Sequence, residues 1–273
     1  MSATTLDETL TTECWICVTC GTQYASSVEP PAVCRVCLDD RQYVGRDGQR
    51  WTTHADLAAT LHLRVEDDDG LLGIGIAEPF AIPQRALVVR QGGMAVLWDC
   101  VSVVTPEALE QVGAVDAIAI SHPHFYSGMV EWSDALGGIP ILLHEADREW
   151  IARPSPAVEL WSGERHDVAS GITLLHLPGH FPGSAGLLWH GDERAALLAG
   201  DSLHVVADRR HVTVMHSVPN YIPVGASTIV ELRRRLSGID FDDVYGFTWG
   251  LNIIGGARDA VDASFDRYLD AIR

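Results

Sequence analysis

His122 and His124 follow directly on the apolar run at 115–120, Val-Asp-Ala-Ile-Ala-Ile. This pair constrains the fold more than any other feature of the chain. A buried strand that ends in His-x-His sends two imidazoles out at its carboxyl end. Alternate strand residues share a face, so both rings can converge on one metal ion. A third histidine, His180, stands in Leu-Pro-Gly-His-Phe-Pro-Gly-Ser at 177–184, and a carboxylate, Asp201, in Leu-Ala-Gly-Asp-Ser at 198–202. Each lies at the end of an apolar segment and beside glycine, which is how strand ends deliver side chains to a shared site.

The rest of the composition narrows the class. At 273 residues the chain can form one large α/β domain plus a small module, and 47% hydrophobic residues suit a packed core. No apolar run is long enough to span a bilayer. The first ten residues show no basic region followed by an apolar core, so no secretory signal is read there and a cytoplasmic location is expected. The formal net charge of −18 repels phosphate backbones, and the one dense basic cluster, Arg233-Arg234-Arg235, reads as the polar face of a helix. Nucleic acid and membrane are therefore not expected partners. The chain contains no lysine, which excludes Schiff-base chemistry, pyridoxal phosphate anchoring and a Walker lysine.

Five of the six cysteines, Cys14, Cys17, Cys20, Cys34 and Cys37, fall in the first forty residues. Cys17-Val-Thr-Cys20 and Cys34-Arg-Val-Cys37 form two CxxC knuckles, a pattern that suits tetrahedral structural zinc, with Gly21 permitting the left-handed turn after the second thiolate. A disulfide pair is the competing reading, disfavoured in a cytoplasmic chain. Cys14 also makes a CxxC with Cys17, so a shifted ligand register competes with a free thiol. A module this small cannot bury a core, and zinc would supply much of its folding energy. Residues 13–50 are read as a zinc-ribbon-like module with a structural or interaction role, and residues 51–273 as the main domain.

Along that domain, alternating apolar residues predict strands over 71–76, 85–90 and 94–100, with Gln91-Gly92-Gly93 as a hairpin turn. The acidic run Glu66-Asp67-Asp68-Asp69-Gly70 reads as a solvated turn. Thr105-Pro106-Glu107 opens a helix, 115–120 is a buried strand, and 129–136 is a helix. A strand over 139–143 leads through His144 into a further helix. Strands over 171–177, 185–190 and 195–199 and helices over 225–236 and 257–272 repeat the theme. Two mixed sheets packed face to face with helices outside are predicted.

With those motifs in place, the chain from about residue 57 onward resembles the metallo-β-lactamase-fold hydrolase superfamily, which implies a four-layer αββα sandwich, of α/β (α+β) class. Asp99 in Leu-Trp-Asp-Cys is similar to the family's strand-ending aspartate, which supports the metal-ligand loop. His122-Pro-His124 resembles the start of HxHxDH, Gly179-His180-Phe-Pro-Gly-Ser184 resembles GHTPGS, and Gly200-Asp201 resembles the segment of the metal-bridging aspartate. His144 stands where relatives often carry a non-ligand histidine. The departures fall on the second metal. Tyr126 and Ser127 replace the Asp and His of HxHxDH, and no histidine stands near 245–250, where the last ligand is expected.

The resemblance thus implies a mononuclear site. His122, His124, His180 and Asp201 would hold one divalent ion, zinc or iron, beside the structural zinc of the four cysteines. The reaction expected is hydrolysis of a small-molecule ester, thioester or lactone through a single metal-bound water. Asp201 would ligate or orient that water. Tyr126 would polarise the substrate or plug the vacated place. His204, His211 and His216 are read as core or surface residues, any one of which could instead complete the site. The alternative class is a degenerate, non-catalytic member that binds a ligand or protein. A dioxygenase-type oxidoreductase lacks its diiron ligands, and a nuclease lacks a second metal and a basic groove. No organic cofactor is expected, and a homo-oligomer is compatible with the sequence.

Overall fold

A computed structural model describes residues 12–273. The amino-terminal stretch in which no secretory signal is read lies outside the described residues. From Leu63 to Trp161 seven strands form one sheet in chain order: Leu63–Asp68, Leu71–Ile76, Arg85–Gln91, Met94–Trp98, Ala117–Ala119, Ile141–His144 and Val158–Trp161. The first four meander antiparallel, and the last three pairings are parallel. Parallel pairing needs crossovers, and the helices Pro106–Val112 and Met129–Ala135 supply two of them. Gly92 and Gly93 both take positive φ, which lets the two-residue turn between 91 and 94 follow the strand twist.

The second sheet has six strands: Arg165–Ala169, Ile172–His176, Ala185–His190, Ala195–Leu198, Asp243–Tyr245 and Asn252–Ile253. Its one parallel pairing, between Ala195–Leu198 and Asp243–Tyr245, is bridged through the helix Ala226–Leu236. The helix Ala257–Ala271 closes the chain.

Period-two alternation sorts the side chains into layers. In Arg85–Gln91, Leu87 and Val89 face a middle layer shared with Leu174, Leu187 and Leu198 of the second sheet. Ala86 and Val88 face the opposite layer, with Val112, Met129 and Trp132 of the outer helices. A third apolar layer seats Ile229, Leu232 and Phe265 against the far side of the second sheet. Three apolar layers between four layers of structure make the αββα sandwich.

Two local expectations are corrected. The strand before His122 ends at Ala119, so His122 and His124 do not alternate along a strand. His122 is extended, while His124 sits in the 3₁₀ turn Pro123–Phe125 that follows. The helix expected after His144 is present as a 3₁₀ helix, Glu145–Trp150. The acidic run is not all solvated. Asp68 lies inside the strand Leu63–Asp68 and pairs with the buried Arg85, which also donates to the Gly246 carbonyl at 2.9 Å and to Asn252 Oδ1 at 2.9 Å. This guanidinium ties the two sheets together.

At the amino-terminal side, Ile16–Cys17 pairs with Trp51–Thr52, and Trp51 packs on the cysteine cluster. No helix among the described residues is long and apolar enough to cross a membrane.

Candidate metal centre

Among the described residues, two sets of metal-type donors converge: Cys17, Cys20, Cys34 and Cys37, and His122, His124, His180 and Asp201, each within 4.8 Å of one another. In the cysteine set all four thiols are free. Cys17 and Cys37 Sγ are 3.6 Å apart, and Cys20 and Cys34 Sγ 3.5 Å. A tetrahedral ion with Zn–S of about 2.3 Å has edges of ~3.8 Å, so the set fits one metal. Hydrogen bonds from Cys17, Cys20 and Cys37 hold the Cys34 thiol well below its ordinary pKa, and Tyr24 adds an O–H donor at 3.3 Å. Cys14 lies outside the cluster, its thiol pushed up by burial.

The histidine set is assembled from three loops at one edge of the sandwich. Asp99, at a positive φ of 62° after its strand, accepts from Ser121 N at 2.8 Å and so fixes the loop carrying His122 and His124. Burial pushes the Asp99 carboxyl up to about 7. Ser121 Oγ lies 2.8 Å from His122 Nδ1, which leaves His122 Nε2 facing inward. His180 Nδ1 lies 3.1 Å from the Met215 carbonyl and must donate to it, so its Nε2 is an acceptor. Gly200 takes φ +51°, and a Cβ there would lie 2.4 Å from Ser121 Cβ. Only glycine permits this approach, which carries Asp201 to the histidines.

The donor atoms fit a common ion. His180 Nε2 and His124 Nδ1 are 3.1 Å apart, and Asp201 Oδ2 is 3.5 Å from His122 Nε2 and 3.7 Å from His180 Nε2. Metal–nitrogen bonds of about 2.0–2.1 Å imply edges of ~3.4 Å. His122 Nε2 and Asp201 Oδ1 are buried without a hydrogen-bond partner. Burial holds His122 and His180 well below the ordinary histidine range and His124 at about 3, a direction that favours the neutral ring a metal requires. Burial pushes the Asp201 carboxyl well up, with Asp99 adding to it. A cation at this point would answer both the orphaned donors and the buried carboxylate.

The positions at which the resemblance implies ligands of a second metal hold other groups. Tyr126 is 5% exposed within the apolar layer of Phe125, Met129 and Trp132, and burial drives its phenol pKa well up. Ser127 Oγ meets Ser102 Oγ at 2.5 Å. Phe247 packs on Phe125 and on His204, with ring centroids 6.1 and 5.4 Å apart. His144 is not a donor to the site. It stacks on His176 at 3.9 Å and accepts from Ala146 N. His211 and His216 pair with Asp208 and Asp40.

Two features escape sequence reading, and His204, left there as an alternative ligand, falls beside Asp201. His204 Nε2, buried and without a partner, lies 3.9 Å from Asp201 Oδ2. Arg41, just beyond the fourth cysteine of the cluster, donates through Nε to the His180 carbonyl at 2.6 Å and lies over the Phe181 ring. A cavity of about 250 Å³ opens onto His124, His180 and Asp201, and Thr19, Gln42 and Tyr43 of the cysteine module form part of its wall. Only the three-residue spacing of His204 from Asp201 carries a signal in the sequence.

No family model matches the chain. It is 39% identical over 266 residues to the uncharacterized protein YmaE of Bacillus subtilis (strain 168), an alignment covering 94% of this chain and 96% of that one. Among solved structures, the metallo-β-lactamase SMB-1 bound to 2-mercaptoethanesulfonate superimposes with a TM-score of 0.50 at 14% identity, over 75% of this chain and 93% of that one. A B3 metallo-β-lactamase with an active site glutamic acid gives a TM-score of 0.48 at 18% identity, over 70% and 84%. With the αββα layering shared with SMB-1 and the near full-length match to YmaE, the chain has the metallo-β-lactamase fold and belongs to the same family as YmaE, with a zinc-ribbon-like four-cysteine cluster at its amino-terminal side.

Proposed function

We propose that this protein is a metal-dependent hydrolase with a single metal at the histidine site, acting on a small-molecule ester, thioester or lactone. The observation that carries the reading is the convergence of His122, His124, His180 and Asp201 donor atoms, with buried orphaned atoms among them, at the floor of a cavity. A single divalent ion there, zinc or iron, would supply an acidified water as nucleophile and an electrophile for the carbonyl. His122, His124 and His180 hold the ion as neutral imidazoles. Asp201 contributes one carboxylate oxygen to the set and keeps Oδ1 free to accept a proton from the attacking water. Tyr126 serves as the apolar plug of the vacated second site, not as a substrate donor, because its ring is packed in the core.

In this reading residues 13–50, with Trp51–Thr52 as closing strand, form the zinc module and 51–273 the catalytic domain. The four-cysteine set takes zinc for structure. Six free thiols suit a reducing, cytoplasmic setting.

Elemental analysis of wild type beside His122→Ala/His124→Ala tests the assignment. Two metals per chain, one of them lost in the variant, together with wild-type turnover in an ester, thioester and lactone screen, are the expected results. One metal in both proteins would assign it to the cysteines alone. The hydrolase reading would then give way to a non-catalytic binding module.

A further inference from the structure

We propose that Gln42, from the cysteine module, is a substrate-binding residue of the histidine site. It would hydrogen-bond a neutral amide-type group of the substrate, and the cavity around it would select uncharged acyl compounds over anionic ones. This rests on the hydrolase reading and narrows its substrate class.

Gln42 lines the cavity together with His124, His180 and Asp201. It is 7% exposed, and its Oε1 is buried with no hydrogen-bond partner. Its backbone is fully committed: the N–H donates to the Asp39 carbonyl at 3.0 Å, and its own carbonyl accepts from Asn220 Nδ2 at 2.8 Å. The side chain is therefore held at the cavity by a pinned backbone while its acceptor is left unmatched. A buried unmatched acceptor is costly unless something fills it. A carboxamide presents one acceptor and two donors in a single plane, so a substrate amide can match it reciprocally whichever way the Gln42 amide is turned.

The charge of the lining decides the rest. Among the described residues no arginine lines this cavity, and its one carboxylate is Asp201. The nearby guanidinium of Arg41 is spent on the His180 carbonyl and on Asp39. A divalent ion at the site would have its charge balanced by the Asp201 carboxylate and a bound hydroxide or thiolate, so a carboxylate, sulfonate or phosphate elsewhere on the substrate would be desolvated with no lining arginine to meet it. The remaining walls, among them Ile82, Pro83, Val218 and Phe247, are apolar, and Tyr43 stands half exposed. An apolar acyl chain fits against these walls in a cavity of about 250 Å³.

The test uses metal-seeking thiols as probes on the full-length, metal-loaded protein. N-butanoylcysteamine carries a neutral amide, hexane-1-thiol has neither amide nor charge, and 2-mercaptoethanesulfonate is anionic. Dissociation constants from calorimetry are compared for wild type, Gln42→Leu and Gln42→Met, with metal content and melting temperature as controls. Wild type is expected to prefer the amide thiol over the alkanethiol by about tenfold, the scale of one well-made buried hydrogen bond, and to bind the sulfonate weakest. Both Gln42 variants should erase the amide preference while keeping alkanethiol affinity and two metals per chain. Metal present and alkanethiol bound, but no amide preference in wild type or an unchanged one in both variants, would overturn the role of Gln42 alone. A sulfonate that binds tightest would overturn the neutral-substrate selection. Absence of the histidine-site metal, or of binding by any thiol, would overturn the hydrolase reading and this inference with it.

Discussion

The two donor clusters use similar spacings for opposite ends. The four-cysteine set is drawn from two knuckles within 21 residues of chain, is capped by Tyr24 and Trp51, and puts none of its thiols on the cavity wall. The histidine set is drawn from loops spread over 80 residues, and its floor faces a cavity. A closed, locally built cluster does the work of a missing core. An open cluster built by the whole sandwich can admit a ligand. The comparison also shows dependence running one way. The loop after Cys37 grips His180 through Arg41, and Asp40 and Gln42 engage His216 and Asn220, whereas no donor of the histidine set braces the cysteines.

The largest effect should come from breaking the closed cluster. Cys34→Ser is expected to lose the structural zinc, worth on the order of 10 kcal/mol of folding free energy for such sites, and to lower histidine-site occupancy as well. Elemental analysis with a thermal melt would show both losses. His122→Ala/His124→Ala should instead keep the cysteine-bound metal, and symmetrical losses would break the argument for one-way dependence.

Next in size is Arg85→Met. It strands Asp68 in the sheet interior and should cost about 3–5 kcal/mol in a urea titration. Histidine-site metal content should stay intact below the transition, since Arg85 touches neither cluster.

Arg41→Ala should sharpen the comparison further. It removes the hold on the His180 backbone and is expected to weaken histidine-site metal affinity about 10-fold or more, on the scale seen for outer partners of metal ligands. The cysteine-bound metal should survive a chelator titration that strips the other. Ser121→Ala, which removes the partner of His122 Nδ1, should give a smaller loss of the same kind.

The smallest effect concerns pH. His176 is half buried, donates through Nε2 to the Pro182 carbonyl at 2.7 Å and faces Arg235, with burial the leading reason its pKa falls to about 4. The unfolded chain takes up this proton near the ordinary 6.5, before the folded one does. Stability from this group is therefore present above pH 6.5 and declines as pH falls through about 4. His176→Gln should flatten that part of a stability–pH curve without changing metal content.

Much of this was legible because it is local. CxxC knuckles, a His-x-His after an apolar run and glycines beside Asp201 and His180 are short-range patterns, and the alternation in 85–90 marks both faces of a central strand. The support of the ligand loop by Asp99 followed from the family resemblance. What was not legible is set by distance along the chain. Arg41 and His180 are 139 residues apart, and nothing in the sequence around Arg41 distinguishes it from a surface arginine. The buried Asp68 looked solvated because its neighbours Glu66 and Asp67 are exposed, and only the Arg85 partner explains its place inside. The 3₁₀ turn at Pro123 hid because both histidines would converge on a strand as well.

One contact ties the cysteine knuckle to the ligand loop. Gly21, the turn of the first cysteine knuckle, lies so close that a Cβ on it would meet Ser102 Oγ at 3.0 Å and Ser127 Oγ at 3.5 Å. Ser127, which stands at the last position of the segment resembling HxHxDH, is buried. The loop that carries His122 and His124 and the turn of the cysteine knuckle are thus fitted to each other at one close contact, so the module beside the histidine site helps to set the wall of the loop that builds it.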